Sequence, residues 1–356
     1  MAASYRVAVV GGAGTWGRHY LAAYDQNPEC TITGLVDSSG ERRAAFARRY
    51  GISHEYDSIQ DLLQDQKPDI VSAVVPVESN PAIVIACAEA GVRLVSCEKP
   101  IAVSLQDADT MLATCRERGT IFSCGSVYAD VPGLSDVLTV VQQGHLGRIE
   151  SALIPRGLPV EMAGAGCVPL TLLRLLTQQE IIWVEGFTLP PAPGWDPPDG
   201  IPKSQVDCPG YGRVGLSGGG ICDIPQPRLN PTKDSPMIGV TGSTGTITLG
   251  ADGPVLDPIP AGYAVDYTLE NPFSVRIKRL VRAIESGRDE LGSDVGYHRA
   301  LEAALAIRCS SELGHTRLEL PLKNRSLSVY PHPYRLKGGD VAGWASFGYA
   351  GPPEVR

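Results

Sequence analysis

The sequence predicts an α/β protein of two domains, the first built on a doubly wound, mostly parallel sheet. Three observations predict it. The chain has 356 residues, more than one ordinary domain holds. From Arg6 to about Cys124, short apolar runs alternate with amphipathic stretches, which is the rhythm of βαβ units. The first apolar run, Val7-Ala8-Val9-Val10, leads straight into a glycine-rich turn.

Candidate strands are Arg6–Val10, Thr31–Val36, Ile70–Val75, Arg93–Cys97 and Thr120–Cys124. Their nearly unbroken Val/Ile-rich character is expected where helices cover both faces of a sheet. Helices are predicted between them near Trp16–Asp25, Glu41–Tyr50, Ile59–Gln64, Pro81–Ala90 and Leu105–Arg118. In the last, Leu105, Ala108, Met111, Leu112 and Cys115 recur at spacings of three and four, giving one stripe that can pack on the sheet. A helical stretch near Leu134–Gln143 and the turn Gly144-His145-Leu146-Gly147-Arg148 then lead into fewer, longer extended segments. The expected domains are therefore 1–124, 125–323 and a tail 324–356. Eleven prolines between Pro190 and Pro236 make most of that span loop, with a strand around Tyr211–Ser217. Met237–Val240 and Thr246–Leu249 flank Gly242-Ser243-Thr244-Gly245 as a hairpin, and helices are expected at Phe273–Ser286 and Val295–Gly314. The tail has no periodicity and is expected to wrap a neighbouring surface or to be partly disordered.

Composition excludes several function classes. Lys and Arg number 31 against 39 Asp and Glu, a net charge of −8, and no stretch gathers basic residues into a phosphate-neutralising stripe, so nucleic acid is not expected as a partner. No run of 18 apolar residues occurs, so no membrane-spanning helix is expected. The N-terminal residues lack a secretory h-region, and the nine cysteines are dispersed without a CxxC pair. A cytoplasmic protein without disulfide framework or zinc site is expected. The six histidines show no metal-ligand spacing, and no metal is expected. Cys97 reads as a buried strand residue rather than a nucleophile.

The strongest local signal is Gly12-x-Gly14-x-x-Gly17, with Thr15 and Trp16 between its glycines, between a strand and a helix. On this reading Gly12 permits a tight turn, Gly14 lets the backbone approach a pyrophosphate, and Gly17 lets helix and strand pack closely. Asp37 closes the second strand, where an acid binds a ribose diol. That acid repels a 2′-phosphate and Ser38-Ser39 supplies no compensating arginine, so NAD is favoured over NADP. The alternative, a glycine turn without ligand, does not account for Asp37. Glu98-Lys99-Pro100 follows the strand Arg93–Cys97 at the carboxyl edge of the sheet, where open α/β folds bind ligands. A lysine there can exchange a proton with a reacting hydroxyl; a surface lysine at a strand end is the bland alternative.

Five segments in order carry a resemblance: GAGTWG, VSAVVPVESNPAIVIACAEAGVRLVSCEKP, GHLGRIESA, VTGSTGTITL, and SVRIKRLVRAIESGRDELGS with ALEAALAIRCSSELGHTRLELPL after it. Over roughly residues 5–323 the chain resembles the glucose-fructose oxidoreductase / inositol dehydrogenase / rhizopine catabolism (Gfo/Idh/MocA) family. The resemblance implies an N-terminal Rossmann domain and a C-terminal α+β domain with an open, mainly antiparallel sheet. It implies Lys99 as catalytic lysine, Glu98, Pro76 and Asn80 as cofactor contacts beside the glycine turn and Asp37, and a homodimer or homotetramer. Implied activity is hydride transfer between NAD and a carbinol or carbonyl of a sugar, cyclitol or related small molecule. The family's D-L-G-x-H-x-x-D helix motif is altered. Val168 falls at the His, Gly164 and Thr171 at the acids, and Pro169 is expected to distort or restart the helix. Tyr128, Asp130 and Glu161 are candidate replacements, each weighed against an exposed structural role. Trp195 and Tyr211 are candidates for stacking on a substrate or for plain packing. The altered motif keeps open a redox-neutral enzyme, an imine reductase, whose relatives share the Trp16-Gly17-Arg18-His19-Tyr20-Leu21 start, and a non-catalytic dinucleotide-binding regulator.

Overall fold

The structure is a computed structural model that describes residues 4–355, apart from 126, 128, 129, 132, 193, 194, 196, 198, 229–234, 251, 252 and 260–269. The chain forms two compact units, one of Met1–Val127, Asn271–Val295 and Pro333–Arg356, the other of Tyr128–Glu270 and Gly296–His332.

The first unit is built on β1 (Tyr5–Val10), α1 (Gly17–Asp25), β2 (Cys30–Val36), α2 (Gly40–Tyr50), β3 (Glu55–Tyr56), α3 (Ile59–Asp65), β4 (Ile70–Ala73), α4 (Asn80–Glu89), β5 (Leu94–Glu98), α5 (Leu105–Arg118) and β6 (Ile121–Gly125). The strands pair in parallel in the order β3-β2-β1-β4-β5-β6, the doubly wound order with its switch point between β1 and β4. Five strands and five helices stand where the apolar pattern places them. β3 is two residues long, too short to leave a periodic signal. Ser58 and Ser104 cap α3 and α5 by accepting the backbone N–H groups of Asp61 and Asp107, and Gly51 and Gly119 end α2 and α5 in the left-handed conformation.

The second unit holds α6 (Leu134–Gln142), β7 (Ile149–Leu153), α7 (Cys167–Thr177), β8 (Ile181–Thr188), β9 (Gly210–Leu216), β10 (Ile221–Ile224), β11 (Ile238–Gly242), β12 (Thr246–Gly250) and β13 (Gly253–Asp257). Its sheet is open, in the order β13-β12-β11-β7-β10-β9-β8-β14, where β14 is Leu318–Glu319. All neighbours are antiparallel except β7 and β10. The expected hairpin is β11–β12, with Thr241 opposite Thr246. α6 and α7 pack against β13 and β11, and alternate residues of β10 and β12 are buried, as a sheet covered on one face requires.

A linear reading misses how the first unit is completed. α8 (Pro272–Ser286) packs on α1 and adds Ile277, Leu280, Val281 and Ile284 to a core that also holds Val7, Val9, Leu21, Leu35 and Phe46. Each such side chain contributes about 1.5–3 kcal/mol on burial, enough to hold the returning helix. The second helix of the expected pair, α9, spans Ser293–Glu312. The tail is ordered into α10 (Pro333–Lys337), α11 (Gly339–Ala342) and a 3₁₀ turn over Trp344–Phe347, all in the first unit.

A buried ion pair, Arg279 Nη1 to Asp289 Oδ1 at 3.0 Å, secures the end of α8. Burial pushes the Asp289 carboxyl up, but the Arg279 charge and the Ser293 hydrogen bond outweigh it and hold it below the usual range. A depressed carboxylate stabilises the fold above its unfolded pKa and loses that contribution as pH falls through the folded value. Asp289→Asn is therefore expected to lower the unfolding free energy by about 3–5 kcal/mol at neutral pH. In urea titrations the gap from wild type should narrow below about pH 4.

Candidate functional site

The carboxyl ends of β1, β2, β4 and β5 carry most of the candidate residues, because loops diverge there around the switch point. The turn after β1 is tighter than the sequence suggests, and the left-handed residue is Gly11 (φ +75°) rather than Gly12. Gly12 is required for packing instead, since a Cβ there would lie 2.5 Å from Leu35 Cδ1. A Cβ on Gly17 would lie 2.0 Å from the Gly11 carbonyl oxygen, which is the close helix–strand approach expected. One on Gly14 would meet only the Gly11 oxygen, at 3.2 Å, so its other side is open to an approaching group. α1 starts at Gly17 with no side chain capping it, leaving its N-terminal N–H groups and dipole for an anion. Trp16 packs on Phe273 of α8, ring centroids 5.8 Å apart.

Asp37 lies one residue past β2 and is buried. Its Oδ2 accepts from Ala13 N and its Oδ1 from Ser39 N, each at 3.0 Å. Burial pushes its pKa up, against these two N–H bonds and the Arg42 charge, with Asp340 adding to the rise. This carboxylate ties the phosphate turn to the end of β2, and each oxygen keeps a second acceptor direction for a ribose hydroxyl. The absence of a nearby arginine is a correction, because the first turn of α2 brings Arg42 and Arg43 back. Arg43 Nη1 donates to the Asp37 carbonyl at 2.5 Å and to Asp57 at 2.6 Å.

At the end of β5 the Lys99 N–H donates to the Gly125 carbonyl at 3.0 Å, and both Glu98 and Lys99 are half-buried. Asn80, expected at the cofactor, braces the lysine loop. It is fully buried, and Nδ2 donates to the carbonyls of Glu98 (3.1 Å), Pro100 (3.1 Å) and Ile101 (3.3 Å), clamping the lysine loop from behind. Glu98 Oε1 accepts from the Tyr20 hydroxyl at 2.6 Å, and that hydroxyl accepts from Arg276 Nε at 2.8 Å. Arg276, fully buried on α8, and Tyr20 were not expected at the site. The signal for Arg276 was its place on the apolar stripe of that helix, one residue before Ile277 and four before Leu280.

The tail reaches the same edge. Tyr334 donates to Thr15 Oγ1 at 3.2 Å, Gly338 abuts Pro76, Lys337 pairs with Glu78, and Asp340 pairs with Arg42.

In the second unit the residues set against the family's helix motif fall in the loop before α7 and in α7 itself. Val168 and Thr171 are buried in it, and Pro169 falls in its first turn, where a missing N–H costs nothing, so the helix begins there without distortion. Tyr128 lies outside the described residues. Asp130 and Glu161 are buried rather than exposed. Glu161 Oε1 accepts from the His332 N–H at 2.5 Å, beside a carboxylate not singled out in the sequence. Asp207 accepts from the backbone N–H groups of Met162, Ala163, Gly164 and Cys208 at 2.8–2.9 Å. Burial, then the Glu161 charge, push Asp207 up to about 7. A carboxyl whose pKa is raised on folding contributes less to stability as pH rises from its unfolded pKa through the folded one. Trp195 packs on His332 and Tyr211 on Phe187, so both are engaged in packing. Among the described residues no group of three His, Cys, Asp or Glu could hold a metal ion, and no helix is long and apolar enough to cross a membrane.

The first unit is thus a dinucleotide-binding α/β domain with a lysine loop at its carboxyl edge. Residues 5–126, about a third of the chain, match the model of the Gfo/Idh/MocA oxidoreductase family, NAD-binding Rossmann fold. D-apiose dehydrogenase of Paraburkholderia graminis is 28% identical over 136 residues, 38% of this chain and 36% of that protein. 1,5-Anhydro-D-fructose reductase of Ensifer adhaerens is 27% identical over 137 residues, 38% of this chain and 41% of that protein. The matches thus span well under half the length of these relatives. The solved structure of the WlbA dehydrogenase from Bordetella pertussis, in complex with NADH and UDP-GlcNAcA, has a TM-score of 0.73 at 18% identity, covering 91% of this chain and all of that one. It shares the fold of both units.

Tyr20→Phe removes the hydroxyl between Arg276 and Glu98 and leaves both without that bond. It is expected to cost about 1–3 kcal/mol of unfolding free energy in urea titration, with the far-UV spectrum unchanged.

Proposed function

We propose that this protein is an NAD-dependent oxidoreductase acting on a carbinol or carbonyl of a sugar, cyclitol or related polyhydroxylated small molecule. The observation that carries the reading is the lysine loop on the edge that also bears the open glycine turn and Asp37. The residues present fit the cofactor. The uncapped start of α1 and the open side of Gly14 suit a pyrophosphate, and Asp37 keeps acceptor capacity for a ribose. NAD, when bound, supplies or accepts the hydride. Lys99 takes the proton from the substrate hydroxyl, or returns it to the carbonyl oxygen, at Nζ. Asn80 fixes the backbone of the lysine loop and the Arg276–Tyr20 pair fixes Glu98, so that neither has to be ordered when substrate arrives. The sugar chemistry named in the two relatives supports the substrate class. The open sheet of the second unit exposes Leu153, Ile221 and Val255, which fits assembly into a homodimer or homotetramer.

A second reading, a dinucleotide-binding regulator without turnover, draws on Val168 and Thr171, neither of which can move a proton at neutral pH. One experiment separates the two. The wild-type protein is titrated with NAD and NADH by tryptophan fluorescence, then screened with sugars and cyclitols at 340 nm beside Lys99→Ala. The oxidoreductase reading expects turnover that falls about 10²–10⁴-fold in Lys99→Ala, with nucleotide affinity nearly unchanged. Nucleotide binding without turnover of any compound in the screen favours the regulator. Asp37→Ala is expected to weaken NAD binding more than NADP binding; the reverse result overturns the choice of cofactor.

A further inference from the structure

The C-terminal segment packs on the carboxyl edge of the first sheet. α10 and α11 lie across three of the loops that frame the carboxyl edge of the first sheet: the glycine turn at Thr15, the loop after β4 at Pro76 and Glu78, and the start of α2 at Arg42. Two of those contacts are polar tethers. The third, at Arg42, lies at the ribose acid. Arg42 grips Asp340 with both terminal nitrogens, Nη1 to Oδ1 at 3.2 Å and Nη2 to Oδ2 at 2.5 Å, a fork-to-carboxylate pair. Asp340 is also held from its own side. Trp344 Nε1 donates to Oδ1 at 3.2 Å, and the Trp344 ring seats against Gly339, where a Cβ would come within 2.5 Å of it. The carboxylate is therefore held from two sides at the surface, with Asp340 47% exposed and Arg42 16% exposed.

Arg42 sits where a dinucleotide fold places the arginine that accepts a 2′-phosphate, in the first turn of the helix that follows the ribose acid. Its Nε is buried without a hydrogen-bond partner, so the guanidinium has donor capacity that Asp340 does not use. Both Arg42 and Asp340 act on the Asp37 carboxyl, with opposite signs, so the three charges share one neighbourhood. Asp37 and Asp340 against Arg42 leave a net negative charge there. A 2′-phosphate brings roughly two further negative charges and needs the fork that Asp340 occupies.

We propose that Asp340, delivered by the C-terminal segment, occupies Arg42 and so excludes the 2′-phosphate of NADP, making the tail a determinant of NAD selectivity. The inference rests on the reading of the first unit as an NAD site and assigns that site a selector remote in sequence. Arg43 donates to the Asp37 carbonyl and to Asp57 and pairs with Glu55.

The test is the ratio of dissociation constants, Kd for NADP over Kd for NAD, measured by fluorescence titration of the full chain with folding checked by circular dichroism. In Asp340→Ala the ratio is expected to fall about tenfold or more, as Arg42 becomes available to the phosphate. Asp340→Asn, which keeps the shape and removes the charge, is expected to shift it in the same direction by less, and serves alone if the alanine variant does not fold. Adding Arg42→Ala to Asp340→Ala is expected to abolish the gain. An unchanged ratio in variants that still bind NAD overturns the selector and leaves the NAD site standing. So does a gain that survives Arg42→Ala. Failure of the wild-type protein to bind any of NAD, NADH, NADP or NADPH overturns the NAD reading and the selector with it.

Discussion

A guanidinium fully withdrawn from water is the interaction on which the first unit depends. Arg276 lies inside it, carried by a helix some 150 residues beyond the last strand of the sheet it serves. A buried charge is tolerated only when it is hydrogen-bonded, and breaking its partners costs more than the bond itself is worth. Tyr20 on α1 and, through it, Glu98 at the end of β5 answer that demand. The need to satisfy one cation therefore registers α8 against α1 and fixes the residue next to the proposed proton-transfer lysine. Gly125 completes the arrangement, since a Cβ there would stand 2.3 Å from Arg276 Nη1.

The second unit has a comparable organising group. One carboxylate, Asp207, collects the N–H groups of Met162, Ala163 and Gly164 and so organises the loop that leads into α7. The segment has few backbone partners, a bridge of Leu158 to Gly210 and a bond from Met162 N–H to the Cys208 carbonyl, and the buried acceptor satisfies the donors of Ala163 and Gly164. Glu161 stands at the start of the same loop, and its carboxylate fills the space where a side chain on Gly164 would be. Gly164 thus makes room for the Glu161 carboxylate.

What the sequence made legible follows from the range of each signal. The parallel strands, their helices, the glycine turn, Asp37 and the lysine loop all rest on patterns within thirty or so residues, and periodicity and turn chemistry read such distances well. The glycine with positive φ was misplaced by one residue because Gly11 and Gly12 are chemically alike, and only the neighbouring Val74 and Leu35 distinguish them. Arg42 and Arg43 were passed over because counting along the chain ignores that a helix turn brings the third residue back. Asn80 is polar at the start of α4, and the sequence does not show that it is buried beneath the lysine loop. α8 and the tail were recognisable as a helix and as aperiodic chain, but nothing local tells which unit an amphipathic face will meet. Asp207, in a proline-rich stretch without pattern, had no signal at all.

The discontinuity of the first unit bears on how the protein is made. Its sheet is complete by Gly125, yet a face of α1 waits for α8, and the carboxyl edge waits for residues after Pro333. Contacts separated by 150 to 300 residues carry a heavy loop-closure cost and tend to form late. During synthesis the nascent sheet must leave the ribosome with the apolar side chains beneath α8 exposed, while the whole second unit is still to be translated. The face that α8 covers is thus completed only after residues 128–270 of the second unit have been made.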